Sequence, residues 1–314
     1  MTSVSKTRLT PRDLLLTLVV VTLLGFSFVP IKIGLREIPP FALAGLRFLF
    51  AAVPLVFFIK MPRMPWRMIA GYGAAIGIVQ FGLVFLAIKL GMPAGLTSLV
   101  IQMQVFFTIG LAIALLGDRL RRHNLIGAII AACGIVLLGV LKLAAGLSGT
   151  FIGFILVLIA AFAWSVGNII AKRAAGEHGA DMLALVVWSS LIPPLPLFAL
   201  SYLFEGGPVA VHAVLSASAL AWVCVFTLAW GATLFGFGSW ANLLHRYPTA
   251  LISPFALLIP VSGLTSGALF LGESLAPMQL VGVLLVFFGL AENVLGGDLE
   301  AWLRRGNAPA PPPP

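Results

Sequence analysis

The 314-residue chain is 61% hydrophobic and 9% charged, with a mean hydropathy of +1.11 and a formal net charge of +9. Soluble domains are about 45–50% apolar and about 25% charged, so one soluble core cannot hide this much apolar surface and the chain belongs in a bilayer. There the positive charge reads as an insertion signal and not as a nucleic-acid footprint, and Cys133 and Cys224, both inside apolar runs, offer neither a disulfide framework nor metal-ligand spacing.

A span needs roughly 20 mostly apolar residues. Ten such stretches follow in chain order: 13–34, 39–59, 66–89, 93–116, 124–141, 150–172, 182–204, 217–242, 248–271 and 277–295. Lipid leaves helices and closed barrels as the only spanning structures, and runs this long without strict alternation are helices. The first stretch is long and lacks a small-residue cleavage site, so it reads as a permanent helix and not as a signal peptide. Residues 1–12 form a short N-terminal arm. Residues 298–314 close with "RRGNAPAPPPP", a low-complexity tail expected to be disordered, with a short surface helix possible over 298–305.

Lys and Arg set orientation. With the N-terminus in the cytoplasm, fourteen of the 19 fall on that side, from Lys6, Arg8 and Arg12 to Arg304 and Arg305. Four (Lys32, Arg36, Lys89 and Lys142) fall on the other, and Arg47 lies within the second stretch. Both termini are therefore expected in the cytoplasm.

One phrase occurs twice. "GDRLRRHNLIG", starting at Gly117, returns as "GESLAPMQLVG", starting at Gly272. At the same offset Pro93 pairs with Pro248, Leu96 with Leu251, Ser98 with Ser253, Asn124 with Gln279, and Gly134 with Gly289. Earlier in each half a shorter offset pairs Lys32 with Lys172, Pro54 with Pro194, and Phe58 with Phe198; the difference is an insertion around "EGGPVAVHAVLSASA". The chain is thus five helices repeated, residues 13–143 and 150–297. An odd number of crossings makes the second copy enter from the opposite side. The expected fold is an all-α membrane protein of ten helices in two inverted five-helix repeats, an arrangement that recurs in secondary transporters.

The phrases "PPFALAGLRF", "GMPAGLTSLVIQMQVFFTIGLAIALLGDRL", "AAFAWSVGNIIAK" and "PTALISPFALLIPVSGLTSGALFLGESL" resemble EamA-type members of the drug/metabolite transporter superfamily. Within it they are most similar to bacterial exporters of amino acids and derivatives such as cysteine and O-acetylserine. The resemblance runs from Asp13 to Leu295. It implies two EamA repeats, an inner-membrane location and efflux of small metabolites through a central cavity. The family often has a Trp before the Gly of the first helix, where this chain has Leu24-Gly25; the second half keeps Trp164.

Polar side chains inside membrane helices face protein or a water-filled cavity. Gln80 fits either an interhelical hydrogen bond or a cavity contact. Ser98 and Gln102 are four apart on one face, and Ser253, the mate of Ser98, presents the same surface from the other half. Trp164 and Asn168 share a face of the sixth helix, and Trp230, Phe237 and Trp240 read as an aromatic stripe on the eighth, either packing or a binding wall. Ser27, Asn168 and Asn242 are candidate handles for ammonium and carboxylate groups. Pro254, among the prolines of the ninth helix, is a candidate gating point, as are Lys32 and Lys172 at helix C-terminal ends, where a cation suits the dipole. Arg47 must snorkel or find a partner, acting as an anchor or as a receptor for a substrate carboxylate. Asp118 and Glu273, also mates, are expected to cap the helices that follow them. Glu292 is the one acid set inside a span, so coupling is indirect or the protein is a facilitator.

Rival classes fare less well. "GLSG" at 146–149 matches an intramembrane-protease serine motif, but none of His123, His178, His212 or His245 is embedded beside it. A channel lacks a charged ring or filter-like loop. A multidrug or sugar-phosphate carrier remains open within transport, the latter needing more basic residues in the interior. The reading is an exporter of amino acids or related small molecules, with lipid as surroundings and without cofactor, metal, nucleic-acid partner or required oligomer.

Overall fold

The computed structural model describes residues 9–117, 121–144, 149–247 and 249–306. All regular structure among them is helical. Nine of the described helices are long and apolar enough to cross a membrane. In chain order these are α1 (Pro11–Gly34), α3 (Trp66–Lys89), α4 (Ala94–Leu116), α5 (Arg122–Ala144), α6 (Gly149–His178), α7 (Met182–Phe204), α9 (Ala219–Trp240), α10 (Pro254–Leu271) and α11 (Pro277–Gly306). The apolar α2 (Pro40–Val56) has 17 residues, about 25 Å at about 1.5 Å per residue. The short α8 (Pro208–Leu215) lies within the insertion in the second half, between α7 and α9.

Local sequence explains the ends. Thr10 caps α1, its hydroxyl accepting from the Asp13 amide, with Pro11 at the first helical position. Gly117 and Gly272, which open the doubled phrase, are both left-handed caps, with φ of 71° and 64°, closing α4 and α10. The repetition in sequence is a repetition in backbone.

Irregularities repeat too. The middle of α3 is π-helical over Gly73–Phe81, and the middle of α9 over Thr227–Phe237, at matching positions of the two halves. The 3-10 turns at Ile101–Met103 in α4 and Ser253–Leu257 leading into α10 correspond in the same way. Ser27 interrupts α1, its hydroxyl donating to the Leu24 carbonyl at 2.6 Å, and α7 breaks before Pro194.

Small residues draw the helices together, as membrane packing requires. The mates α5 and α11 pack most closely. A Cβ on Gly127 would meet the Gly289 carbonyl at 2.5 Å, and one on Gly134 would meet that of Gly282 at 2.7 Å. The Asn124 amide donates to the Asn293 side-chain oxygen at 2.7 Å. Numbers rise along one helix as they fall along the other, so the pair is antiparallel. The mates α2 and α7 run antiparallel as well: Gly45 touches Phe198, and the Trp188 indole donates to the Ile59 carbonyl at 2.9 Å. Helix α1 packs on α10 as α6 packs on α4, the exchange of partners that a pseudo-twofold produces.

Two expectations change. Glu273 does not cap the helix that follows it. Its carboxylate accepts from the Ala94 and Gly95 amides, at 2.6 and 2.8 Å, and so caps α4 from the other half. Asp118 lies outside the described residues, as do Gly146–Ser148 of "GLSG" and Pro248. The segment 298–305 is no separate surface helix, because α11 continues unbroken to Gly306; residues 307–314 lie outside the described part.

Candidate functional site

The two π segments face one cavity. It measures about 30 Å³ and lies between α2, α3, α6, α7 and α9. Gly73 and Gly77 on α3 let α7 come close: a Cβ on Gly73 would meet the Ser189 carbonyl at 2.5 Å, and Gly77 abuts the Pro193 ring. Pro193 and Pro194 remove two donors where α7 breaks. The Ser189 and Ser190 hydroxyls both donate to the Val186 carbonyl, at 3.1 and 2.6 Å, which also accepts from the Ser190 amide at 3.0 Å. Trp164 on α6 and Phe237 on α9 complete an aromatic wall with Phe48 and Phe81.

The polar wall is sparse. Gln80 is 2% exposed, lines the cavity, and its side-chain oxygen has no hydrogen-bond partner. Arg47, also 2% exposed, lies behind the lining residues it touches. Its Nε donates to the Thr233 hydroxyl at 2.9 Å, and that hydroxyl donates to the Leu228 carbonyl, five residues back as a π turn provides. The guanidinium carbon sits 3.8 Å from the centre of the Phe81 ring and 5.7 Å from that of Phe48. One terminal nitrogen, Nη1, has no partner.

Of the residues singled out from sequence, Gln80, Trp164 and Phe237 line this cavity and the others do not. Ser98, fully buried, donates to the Gly95 carbonyl at 2.7 Å and packs on Gly263 of α10; it is a contact between halves. Gln102 lies buried in the 3-10 turn of α4. Asn168 donates to Gln104 and Thr108, at 2.7 and 3.0 Å, tying α6 to α4. Ser27 bonds within its own helix. Asn242 is exposed, and the Ser253 side chain lies outside the described part. Pro254 starts the 3-10 turn of α10.

The expected stripe of Trp230, Phe237 and Trp240 does not form. Trp230 is 49% exposed, stacks beside Phe226 at 4.8 Å and donates to the Phe50 carbonyl at 3.0 Å, while Phe237 lines the cavity. Trp240 packs with Leu243, Tyr247 and Ile252 instead. The wider π turn rotates residues seven apart off the face that a 3.6-residue turn would give them. Phe48, Phe81, Ser189, Ser190 and Thr233 escaped the sequence reading. The signal for two of them was present in "WSSLIPP", hydroxyls beside paired prolines within a span.

Polar clusters tie the helix ends beyond the cavity. At one end Asp13 pairs with Arg246 at 2.6 Å and accepts from the Tyr247 and Thr10 hydroxyls at 2.6 and 2.8 Å. At the other, Lys32 donates to the Ile88 carbonyl at 3.2 Å and Lys89 to that of Leu35 at 2.7 Å, so α1 and α3 each seat a cation on the other's terminal carbonyls. Nearby, Glu37 accepts from the Ser218 amide and hydroxyl at 2.6 and 2.7 Å, fastening the start of α9. These two donors hold the Glu37 carboxyl below the usual carboxylate range. Lys172, the mate of Lys32, is exposed near the end of α6.

The family model of EamA-like transporters matches twice, over residues 12–140 and 151–294. The chain belongs to the EamA-like transporter family. It is 43% identical to a protein of Salmonella typhimurium named "Probable amino-acid metabolite efflux pump", over 91% of this chain and 95% of that one. An Escherichia coli K12 protein of the same name is 41% identical over the same shares. The "Uncharacterized inner membrane transporter YedA" of Escherichia coli K12 is 24% identical over 87% of each chain. A solved crystal structure, 21% identical, superposes with a TM-score of 0.61 over 95% of this chain and 99% of that one, and shares the fold. The protein is a multi-pass membrane transporter.

Proposed function

We propose that the chain exports amino acids or closely related metabolites across the bacterial inner membrane, working by alternating access. The observation that carries this is the small cavity between two π segments at equivalent positions of the halves. Relatives at 41–43% identity named as amino-acid metabolite efflux pumps support the substrate class. In this reading α2 is the tenth crossing, the repeats run 13–143 and 150–297, and both termini are cytoplasmic. The antiparallel mates α5 and α11 support the inversion, because repeats of one orientation would set mates parallel. The charge count supports the sidedness.

Ligand pockets measure about 300–1,000 Å³, so a cavity of about 30 Å³ must widen to take an amino acid. Opening at one end means parting Asp13 from Arg246; opening at the other means parting the Lys32 and Lys89 contacts or the Glu37 clamp. The test is uptake of a panel of labelled amino acids into proteoliposomes, with and without a pH gradient. The reading expects at least one amino acid to move faster than in empty liposomes. Movement of a cationic dye but of no amino acid would replace it with drug efflux.

A further inference from the structure

A guanidinium in the interior of a membrane protein is expensive and calls for a partner. Among the described residues no carboxylate makes an ion pair with Arg47. A purely structural arginine would spend its donors on carbonyls, yet here Nε donates to the Thr233 hydroxyl and Nη1 is unpartnered. The Phe81 ring lies under the cation at 3.8 Å and holds the charge while no anion is present. The residue before Phe81 is Gln80, whose buried oxygen is a second unpartnered polar atom, an acceptor where Arg47 is a donor. A cavity of this size has room for about two waters, too few to solvate a cation.

Resting on the amino-acid reading above, we propose that Arg47 and Gln80 recognise the two charged ends of a zwitterion: Arg47 receives the α-carboxylate and Gln80 the α-ammonium. The aromatic wall of Phe48, Trp164 and Phe237 then takes the side chain. Arg47 is anchored to Thr233 in the π segment of α9, and Gln80 and Phe81 end that of α3. A zwitterion held by Arg47 and Gln80 of the first half, with its side chain against Trp164 and Phe237 of the second, touches both halves, which links occupancy to the rearrangement of the bundle.

The test has two arms on the wild type. In counterflow with the amino acid that moves best, its carboxamide and its decarboxylated amine should compete about 10- to 100-fold more weakly, the worth of a charged hydrogen bond. In detergent, acetate should raise the melting temperature while acetamide and chloride leave it unchanged; this arm needs no transported amino acid. If no amino acid moves but acetate stabilises, the transport reading fails and the carboxylate site stands. Arg47→Met should abolish both the discrimination and the acetate effect while melting at or above wild type, since an uncompensated cation has left the interior. Equal competition by acid and amide, or stabilisation by chloride matching acetate, would overturn the proposal even if the variant does not fold.

Discussion

Gly127 of α5 lies against the carbonyl of Gly289 on α11, and their repeat mates make the same contact in reverse, Gly282 against Gly134. When residue i meets j′ and j meets i′, a twofold relates the two elements. Any larger side chain must push these backbones apart. Gly127→Leu and Gly289→Leu are each expected to cost about 1–3 kcal/mol, read as lower melting in detergent. Gly110→Ala, where an added Cβ would meet nothing within 4 Å, should melt at or slightly above wild type, since Ala favours a helix interior by about 0.5–1 kcal/mol over Gly.

Two tryptophans separate a cavity role from a lipid-facing one. Trp164→Ala should cut amino-acid transport at least about tenfold, the loss of some 1.4 kcal/mol of recognition, with folded protein still recovered. Trp230→Ala removes a ring stacked on Phe226 outside the cavity. It should lower melting while leaving the ranking of substrates unchanged. A changed ranking in Trp230→Ala would move the site to the outer face of α9.

Hydropathy made the spans readable, and a repeat of offset mates made their grouping readable, because lipid allows a stretch of 20 apolar residues few other structures. The site was less readable. A π turn differs from an α turn by one inserted residue and leaves no composition signature, so Phe237 and Trp230 were set on one face that the backbone then divided. Glu273 was assigned to the nearest helix because capping is a local rule, whereas its partners, Ala94 and Gly95, lie in the other half of the chain. Ser98 and Asn168 were singled out as polar groups for the cavity, but Ser98 donates within its own helix and packs on α10, and the half-buried Asn168 donates to α4. Arg47 stood out at once, and only the fold identified Thr233 and Phe81 as its neighbours.

Glu37 gives a pH dependence of known sign. Its folded pKa is depressed by the Ser218 amide and hydroxyl. The clamp is therefore fully present above the ordinary glutamate value, about 4.3, and weakens as pH falls through the lower folded value. Melting followed from pH 7 to 3 should fall more in wild type than in Glu37→Gln, which lacks the titrating group. Parallel curves would remove Glu37 from the account.

Asp13 and Arg246 join the start of α1 to the end of the helical stretch Gly238–Arg246 that continues from α9. Asp13→Asn and Arg246→Gln are each expected to speed labelling of a cysteine placed in the cavity when reagent enters from their end. The double variant should do no more than either single one, because both break one contact. Additive effects would mean that the two residues act through separate contacts.

The central claim is that one cavity faces each side of the membrane in turn. Ser189 lines it and is 3% exposed. With Cys133→Ala and Cys224→Ala as background, Ser189→Cys should react with a membrane-impermeant thiol reagent added on either side, and a transported amino acid should slow both reactions. Reaction from one side only, or from neither, in protein that still transports would contradict the account.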